Sequence, residues 1–582
     1  MKNYLLFLIY FLFLFSCRTE PQNTASTTSD TDLQKITIRM MSEPDGLSPI
    51  LARRRSAREI FRLIFANLMA LDPKSNDLKP VLIKSSPVIE EIEEGPLKGG
   101  KKYTMEIREE AKWDDGTPVT AADYVFSSKI VLHPSVKTRY GVVTDLIKDI
   151  QTYPNNTKKL SVLTSDCHIL TEGSITADLF LYKEKLFDPK LALRKYDYLA
   201  FKEKDKAQEI VKTDSTIAEV GDLFMDVSYS REQGKVVGAG PYKLKEWVTG
   251  QKIVLVKKEN WWGNDLFPAK PESITFEIIP DHITALTKIK NGELDLCGEL
   301  PFDLFSENKD NENLKAYTAS TQDIIFLALN NEKGPLASKK VRQAVAHSVN
   351  VDEIIETISF GYAKPTSGPY TPDAPFYDKS IKSRKFDVAR SRELLEEGGW
   401  KDSNKNGTVD KMINGKSEEL ELEFIIASSS KLAKPIAELW KNNASKAGIG
   451  VKVILKDPKV FRSENLAKGN FDVVATGTAV DPGLYDPKGR WHSESIPPRG
   501  GNYPRFNNKE ADRLIDEIRS ECTDVERRNK LYADLHKIMY EEQPVIFLYS
   551  PQGIMLTRME VDGLVTSSVK PGFFPEYIQI KN

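Results

Sequence analysis

The stretch Gly238–Gly263, GAGPYKLKEWVTGQKIVLVKKENWWG, decides how this chain is read. It opens on a Gly-Ala-Gly-Pro turn, and Ile253, Leu255 and Lys257 then alternate at the period of two that a half-buried strand shows. Residues 236–256 therefore read as a hairpin-rich sheet. Trp247, Trp261 and Trp262 belong to the same block and read as packing at its core and edge.

Moving outward, strand and helix patterns alternate on both sides. Towards the N-terminus, Ile36 to Met40 alternates as a strand, and residues 57–69 carry the apolar spacing of an amphipathic helix. Lys102 to Arg108 is a strand, followed by a turn at Trp113, Asp114, Asp115 and Gly116. Thr120 with Asp123 then forms a capping-box pattern that starts a helix. Residues 135–220 are lysine-rich, lack a strong period until a helical stretch near 206, and read as a smaller lobe. Towards the C-terminus, Ile324 to Leu329 is a buried strand by its apolar run, and Ser338 to Val349 is a helix. Lys434 to Ala447 is a helix stopped by Gly448, with a strand from Gly450 to Leu455. Helices are predicted over 509–521 and after a capping box at Thr523 and Glu526, and Pro544 introduces the strand Val545 to Tyr549. Alternation of this kind means an α/β or α+β architecture.

The 582 residues hold 82 basic and 84 acidic side chains, for a net charge of -2. Nucleic acid is therefore not an expected partner, since binding by counterion release needs a concentrated basic surface. The densest basic cluster, Arg53, Arg54, Arg55 and Arg58, lies beside Ile60, Leu63, Ile64 and Leu68 at helical spacing and reads as a solvated helix face. The six histidines are dispersed, and neither H-E-x-x-H nor G-x-S-x-G occurs, so no catalytic residues and no cofactor are expected.

At the start, Lys2 precedes an apolar run from Tyr4 to Phe15, too short to span a bilayer, then Ser16 and Cys17. Residues 1–16 read as a secretory signal. Leu14, Phe15, Ser16 and Cys17 resemble a bacterial lipobox, which makes Cys17 the expected lipidation site. Residues 17–32 are the expected flexible tether, rich in Ser, Thr, Asn and Gln. The body would then be lipid-anchored to a bacterial membrane in the cell envelope, facing the periplasm or the outside. Beyond Cys17, Cys167, Cys297 and Cys522 leave room for at most one disulfide, and the spacing does not say which.

Taken in order, several blocks resemble the family 5 extracellular solute-binding proteins. They are KYTMEIREEAKWDDGTPVTAADYVF at 102–126, the Gly238 to Gly263 block, GELDL at 292–296 and FLALNN at 326–331. KKVRQAVAHSVNVDEII at 339–355, FNNKEADRLIDEIRS at 506–520 and the Val545 strand follow. The resemblance implies a bilobal, class II (cluster C) periplasmic-binding-protein-like α/β fold with an extra small lobe. Lobe I would combine 33–72, 225–318 and 536–582, the small lobe II would be 73–224, and lobe III 319–535. It further implies a monomer that closes by a hinge on a small ligand, expected to be a short peptide, and hands it to an ABC permease complex. A non-peptide solute (nickel chelate, glycan or opine-like compound) and a surface adhesin or folding helper remain alternatives.

By the same resemblance Asp481, in TGTAVDPGLYDP, sits where peptide-binding relatives hold the ligand's α-ammonium by a charge-assisted hydrogen bond. The tryptophan usual three places earlier is Thr478 here. Residues 402–410, DSNKNGTVD, imitate the start of a calcium loop through Asp402, Asn404, Asn406 and Asp410. The bidentate glutamate at position 12 is replaced by Ile413, and Asn406-Gly407 is itself a strong turn signal, so no metal site is expected.

Overall fold

The computed structural model describes residues 34–72, 75–138, 141–480 and 484–581. The expected signal segment 1–16, Cys17, the tether 17–32 and Asp481 lie outside the described residues.

The hairpin forms as the alternation predicts. Tyr242–Val248 and Lys252–Lys257 pair antiparallel, the chain reversing where Gly250 takes φ +73. Lys252–Lys257 pairs in turn with Ser273–Ile278, which runs parallel to Lys35–Met40. Leu296–Gly298, Gly553–Arg558 and Leu314–Ala319 extend this to a seven-stranded sheet. Both faces are covered. Leu296 and Met555 pack with the helix Arg55–Ile64, whereas their neighbours Cys297, Ile554 and Leu556 pack under the helices His282–Lys290 and Phe302–Asn308.

The glycines of the opening turn have a steric task. A Cβ on Gly238 would fall 2.1 Å from the Ile64 carbonyl oxygen, and one on Gly240 would fall 2.7 Å from the Ile64 carbonyl carbon. The helix end thus rests directly on the turn, and Gly240 N–H donates to Ile64 O at 2.8 Å. This contact is part of why the helix stops at Ile64, short of the expected residue 69. Phe65 turns extended, and Met69–Leu71 pairs instead with Leu78–Pro80.

The small lobe is a four-stranded sheet of Val88–Glu91, Lys101–Glu106, Asn156–Leu163 and Asp149–Tyr153. The helix Ala121–Leu132 covers it and starts at the predicted Thr120–Asp123 capping box. Its core residues Tyr103, Tyr124, Phe126 and Val162 belong to the same apolar cluster as Ile60 and Leu255 of the first lobe. Lys258 fastens the two lobes: its Nζ reaches Asp114 at 2.5 Å and the Gly238 carbonyl at 2.8 Å. The tryptophan turn and the hairpin block, far apart in sequence, meet at this ion pair.

The third lobe is built on a six-stranded sheet, in the order Ala363–Pro365, Val545–Pro551, Asp323–Leu329, Val473–Ala479, Glu421–Ala427 and Gly450–Lys456. The strand Val545–Pro551 and the helix Val525–Glu542 before it pack here, so the boundary expected at 536 falls instead at Gln552. Hydrogen bonding to Asp323–Leu329 keeps that strand in the third lobe. That helix is also capped one residue later than expected: the Asp524 carboxylate, rather than Thr523, accepts from Arg527 N–H. An ionised acceptor at a helix N-terminus gains from the helix dipole as well as from the hydrogen bond. The chain passes between the two large sheets twice, at 320–322 and at 552, and Thr321 Oγ1 bonds the Pro551 carbonyl at 2.6 Å where the crossings meet. The cysteine pairing left open by the sequence is Cys167–Cys522, with Cys297 free and buried.

Candidate functional site

Beside these crossings lies a cavity of about 800 Å³. Concave sites of this size, mostly apolar with a few converging polar groups, are where small ligands bind. One wall is the helix Arg55–Ile64. Its apolar stripe, Ile60, Leu63 and Ile64, enters the core, which leaves Arg55, Arg58, Glu59 and Arg62 together on the opposite face, one and two turns apart. All four line the cavity. Arg53, Arg54, Arg55 and Arg58 are exposed, as expected of a solvated face, and Arg53, Arg55 and Arg58 at the same time border the cavity, because the small lobe and the C-terminal segment come alongside them.

The C-terminal segment contributes Lys570, Phe574 and Glu576. Glu576 is only 2% exposed, and its Oε1 pairs with Arg62 at 2.7 Å. The Arg62 guanidinium also sits 3.8 Å from the centre of the Phe574 ring. Burial lowers the Arg62 pKa from its ordinary value, and Glu576 works against that shift. The small lobe supplies Lys137, Asp178 and Phe180. Phe180 packs edge-on against Phe61 at 5.9 Å and Phe65 at 6.3 Å, which makes an aromatic corner. At the crossing, Gln322 reaches the wall, and Lys570 Nζ bridges to Asp323 Oδ2 at 2.8 Å.

Glu59 is the unusual group of this wall. Burial in the concavity is the main cause that pushes its carboxyl up to about 8; the nearby Glu299 adds to the shift, and Arg55 opposes it. Arg55 itself pairs loosely with Glu299, at 3.5 Å. Near neutral pH Glu59 is therefore mostly a protonated donor, and the wall around it is cationic through Arg53, Arg55, Arg58, Lys137 and Lys570. Such a wall suits a ligand with a carboxylate or another anionic group laid along aromatic surface.

Asp481, the ligand-binding residue expected from sequence, lies outside the described residues. Val480, just before it, donates its N–H to the Gln322 carbonyl at 2.6 Å. Thr478, at the position where the resemblance leads one to expect tryptophan, accepts from Arg490 Nε at 3.1 Å, and the Arg490 guanidinium is 5.8 Å from the Tyr503 ring centre.

The calcium-loop candidates are occupied with the turn itself. Asp402 accepts from the N–H groups of Asn406 and Gly407, and Asn404 also accepts from Asn406 N–H. The Asn406 amide donates to Glu419, and Asp410 accepts from Ser403 and Ser417. Among the described residues no group of three or more His, Cys, Asp or Glu is placed to hold a metal ion. Trp261 and Trp262 both donate to the Ala239 carbonyl, at 3.0 and 3.2 Å, and Trp261 also borders the cavity.

Glu59, Arg62, Phe574 and Glu576 escaped sequence reasoning. The one available signal was the run of charges at 55, 58, 59 and 62, which marks a polar helix face without saying what covers it.

Two sheets joined by two adjacent crossings, with a mixed cavity beside the joint, define a bilobal solute-binding protein. The family model for bacterial extracellular solute-binding proteins, family 5, matches residues 78–491, and the chain belongs to that family of substrate-binding components of ABC importers, which are not enzymes. The oligopeptide-binding protein AppA of Bacillus subtilis is 26% identical over 535 residues, covering 91% of this chain and 88% of AppA. Among solved structures, HbpA2 of Haemophilus parasuis superposes with a TM-score of 0.75 at 18% identity, covering 94% of this chain and all 100% of HbpA2. NikA of Brucella suis in complex with Fe(III)-EDTA gives 0.73 at 19% identity, again with 94% and 100% coverage. At these identities the structural likenesses establish the fold.

Proposed function

We propose that the protein captures a short peptide in this cavity and delivers it to an ABC permease complex. The observation that carries the reading is the cavity itself: about 800 Å³, aromatic on one side, cationic on another, and bordered by Gln322 at the joint between lobes. A space of that size takes a peptide of a few residues. The peptide's carboxylate would face the Arg55, Arg58 and Lys137 side of the wall, and its α-ammonium would pair with Asp481. A ligand that touches both large lobes only when they are closed shifts the open–closed equilibrium, and a permease that recognises the closed surface reads occupancy. The likeness to the oligopeptide-binding AppA supports a peptide.

The test is thermal unfolding with a panel of short peptides. A true ligand present at a hundredfold excess over Kd stabilises by about 2.7 kcal/mol. The Asp481→Ala variant should lose the shift with free-amino peptides and retain its own ligand-free melting temperature; an unchanged shift removes Asp481 from the site. The cation excess favours one second reading, a carboxylate-rich non-peptide solute such as a metal chelate. Stabilisation by a nickel–histidine chelate with none by peptides would replace the peptide reading, and no stabilisation by any solute would point to an adhesin or folding helper.

The lipid anchor at Cys17 belongs to the same proposal, as does a monomer tethered in the cell envelope. Export suits the Cys167–Cys522 disulfide, because such bonds persist in oxidising compartments. Replacing Cys17 by Ser should move the protein from the membrane fraction to the soluble one; continued sedimentation with membranes would refute the anchor.

A further inference from the structure

The disulfide occupies a telling place. Cys167 follows the last strand of the small lobe, and Cys522 lies between the helices Lys509–Ser520 and Val525–Glu542 of the third lobe, 355 residues away in sequence. The bond therefore joins the two bodies that a hinge would separate, since the small lobe shares one apolar core with the first lobe. The contact around it is also built. Ile169 is 3% exposed within the third lobe's own cluster, beside Leu531 and Ile515, and its N–H donates to the Arg519 carbonyl at 2.9 Å. Asp486 accepts from Arg519 Nε at 2.9 Å and stands 3.7 Å from His168 Nε2.

We infer that Cys167–Cys522 is a strap that limits how far the lobes open, so that ligand exchange proceeds by a restricted motion rather than by wide hinge opening. The two chain crossings, at 320–322 and 552, lie next to each other and by themselves leave a rotation free. A third covalent connection at a separate point removes that rotation except for the slack in its own flanks. A disulfide holds its Cα atoms within about 7 Å, and here they are 6.1 Å apart. The slack is short on both sides. Thr164 is buried and tied through its N–H to the Lys101 carbonyl, and Thr171 is buried, which leaves 165–170. On the other side only 521–524 separates the two helices. From Cys167 the chain continues through the helical turns at 171–178 to the cavity-wall residues Ala177, Asp178 and Phe180.

This inference rests on the hinge-closing reading, but its test uses ligand-free protein, so a failure to find a peptide ligand would leave it standing. Single-molecule energy transfer between non-cysteine labels at the exposed Lys185 and Lys530 reads the opening, and hydrogen exchange of the Ile169 amide reads the contact. Full-length wild type should show one narrow transfer distribution, and a non-reducing digest should yield the peptide pair joined through Cys167 and Cys522. Cys522→Ser, and separately wild type treated with a phosphine reductant, should add a lower-efficiency population and exchange the Ile169 amide at least tenfold faster. Unchanged distributions and exchange in both samples, or absence of the joined peptides, would overturn the strap. Loss of far-ultraviolet dichroism on reduction would overturn it too, since the bond would then maintain the fold rather than limit opening.

Discussion

Glu59 offers the sharpest test of the cavity, through the substitution Glu59→Gln. Its carboxyl is pushed up to about 8 in the folded chain, against an ordinary value near 4.5, by burial and by Glu299. The folded state thus binds more protons than the unfolded one between those values, and stability falls as pH rises through that window. At about 1.4 kcal/mol per pH unit, the unscreened cost at pH 7 is about 3 kcal/mol, and below pH 5 it is under about 1 kcal/mol. Water entering an open cavity screens part of this, so we take about half, roughly 1.5 kcal/mol at neutral pH. Glutamine keeps the size and the hydrogen-bonding ability and cannot ionise. Glu59→Gln should therefore be more stable than wild type by about 1.5 kcal/mol at pH 7, by more at pH 8 and by almost nothing at pH 5. Urea unfolding of the ligand-free proteins at the three pH values measures this directly. A variant that is destabilised, or whose advantage is the same at pH 5 and pH 8, would refute the assignment of Glu59 as a desolvated carboxyl. A costly side chain of this kind fits a wall held for a ligand rather than for the fold, where stability is commonly sacrificed.

Three further outcomes are expected. Gly240→Ala places a methyl 2.7 Å from the Leu63 carbonyl oxygen and the Ile64 carbonyl carbon, so it should destabilise by about 1–3 kcal/mol in urea titrations, with no such cost for Ala at the open Gly489. His536 is fully buried with its pKa pushed down to about 4 by desolvation, so its contribution is present above its unfolded value near 6.5 and is lost as pH falls from there to about 4. That loss is about 3 kcal/mol, and the His536→Gln variant should show a correspondingly flatter decline of stability between pH 6.5 and 4. Asp295→Ala should cost about 1–3 kcal/mol, because Asp295 accepts from Thr37 N–H at 2.6 Å and from Arg558 Nε at 2.9 Å; Thr37 N–H would lose that acceptor, whereas the half-buried Arg558 keeps a looser pair with Glu560 at 3.6 Å.

The local elements were legible because local physics makes them. Alternation at Ile253 and Leu255 gives a strand wherever one face is buried, and the Thr120–Asp123 box starts a helix from its own side chains. The ordered blocks, Gly238–Gly263 foremost, were enough to read a bilobal α/β binding protein. What packs across a given face depends on chain that arrives from far away. The helix at 55–64 displays Arg55, Arg58, Glu59 and Arg62 by its own periodicity, yet only the arrival of Phe180 and of Phe574 and Glu576 turns that face into a cavity wall. The pairing of Cys167 with Cys522, rather than with Cys297, is likewise a matter of which lobe surfaces meet. The same holds for Val545–Pro551, whose apolar run announces a strand while the choice of sheet is made by hydrogen bonds to Asp323–Leu329. Sequence thus determined the elements and their order, which rest on periodicity and short-range chemistry, and the resemblance of its ordered blocks to a known family pointed to the class of protein. The tertiary structure alone decided the cavity, the raised carboxyl of Glu59 and the disulfide strap, since desolvation and contact between distant segments exist only once the chain is folded.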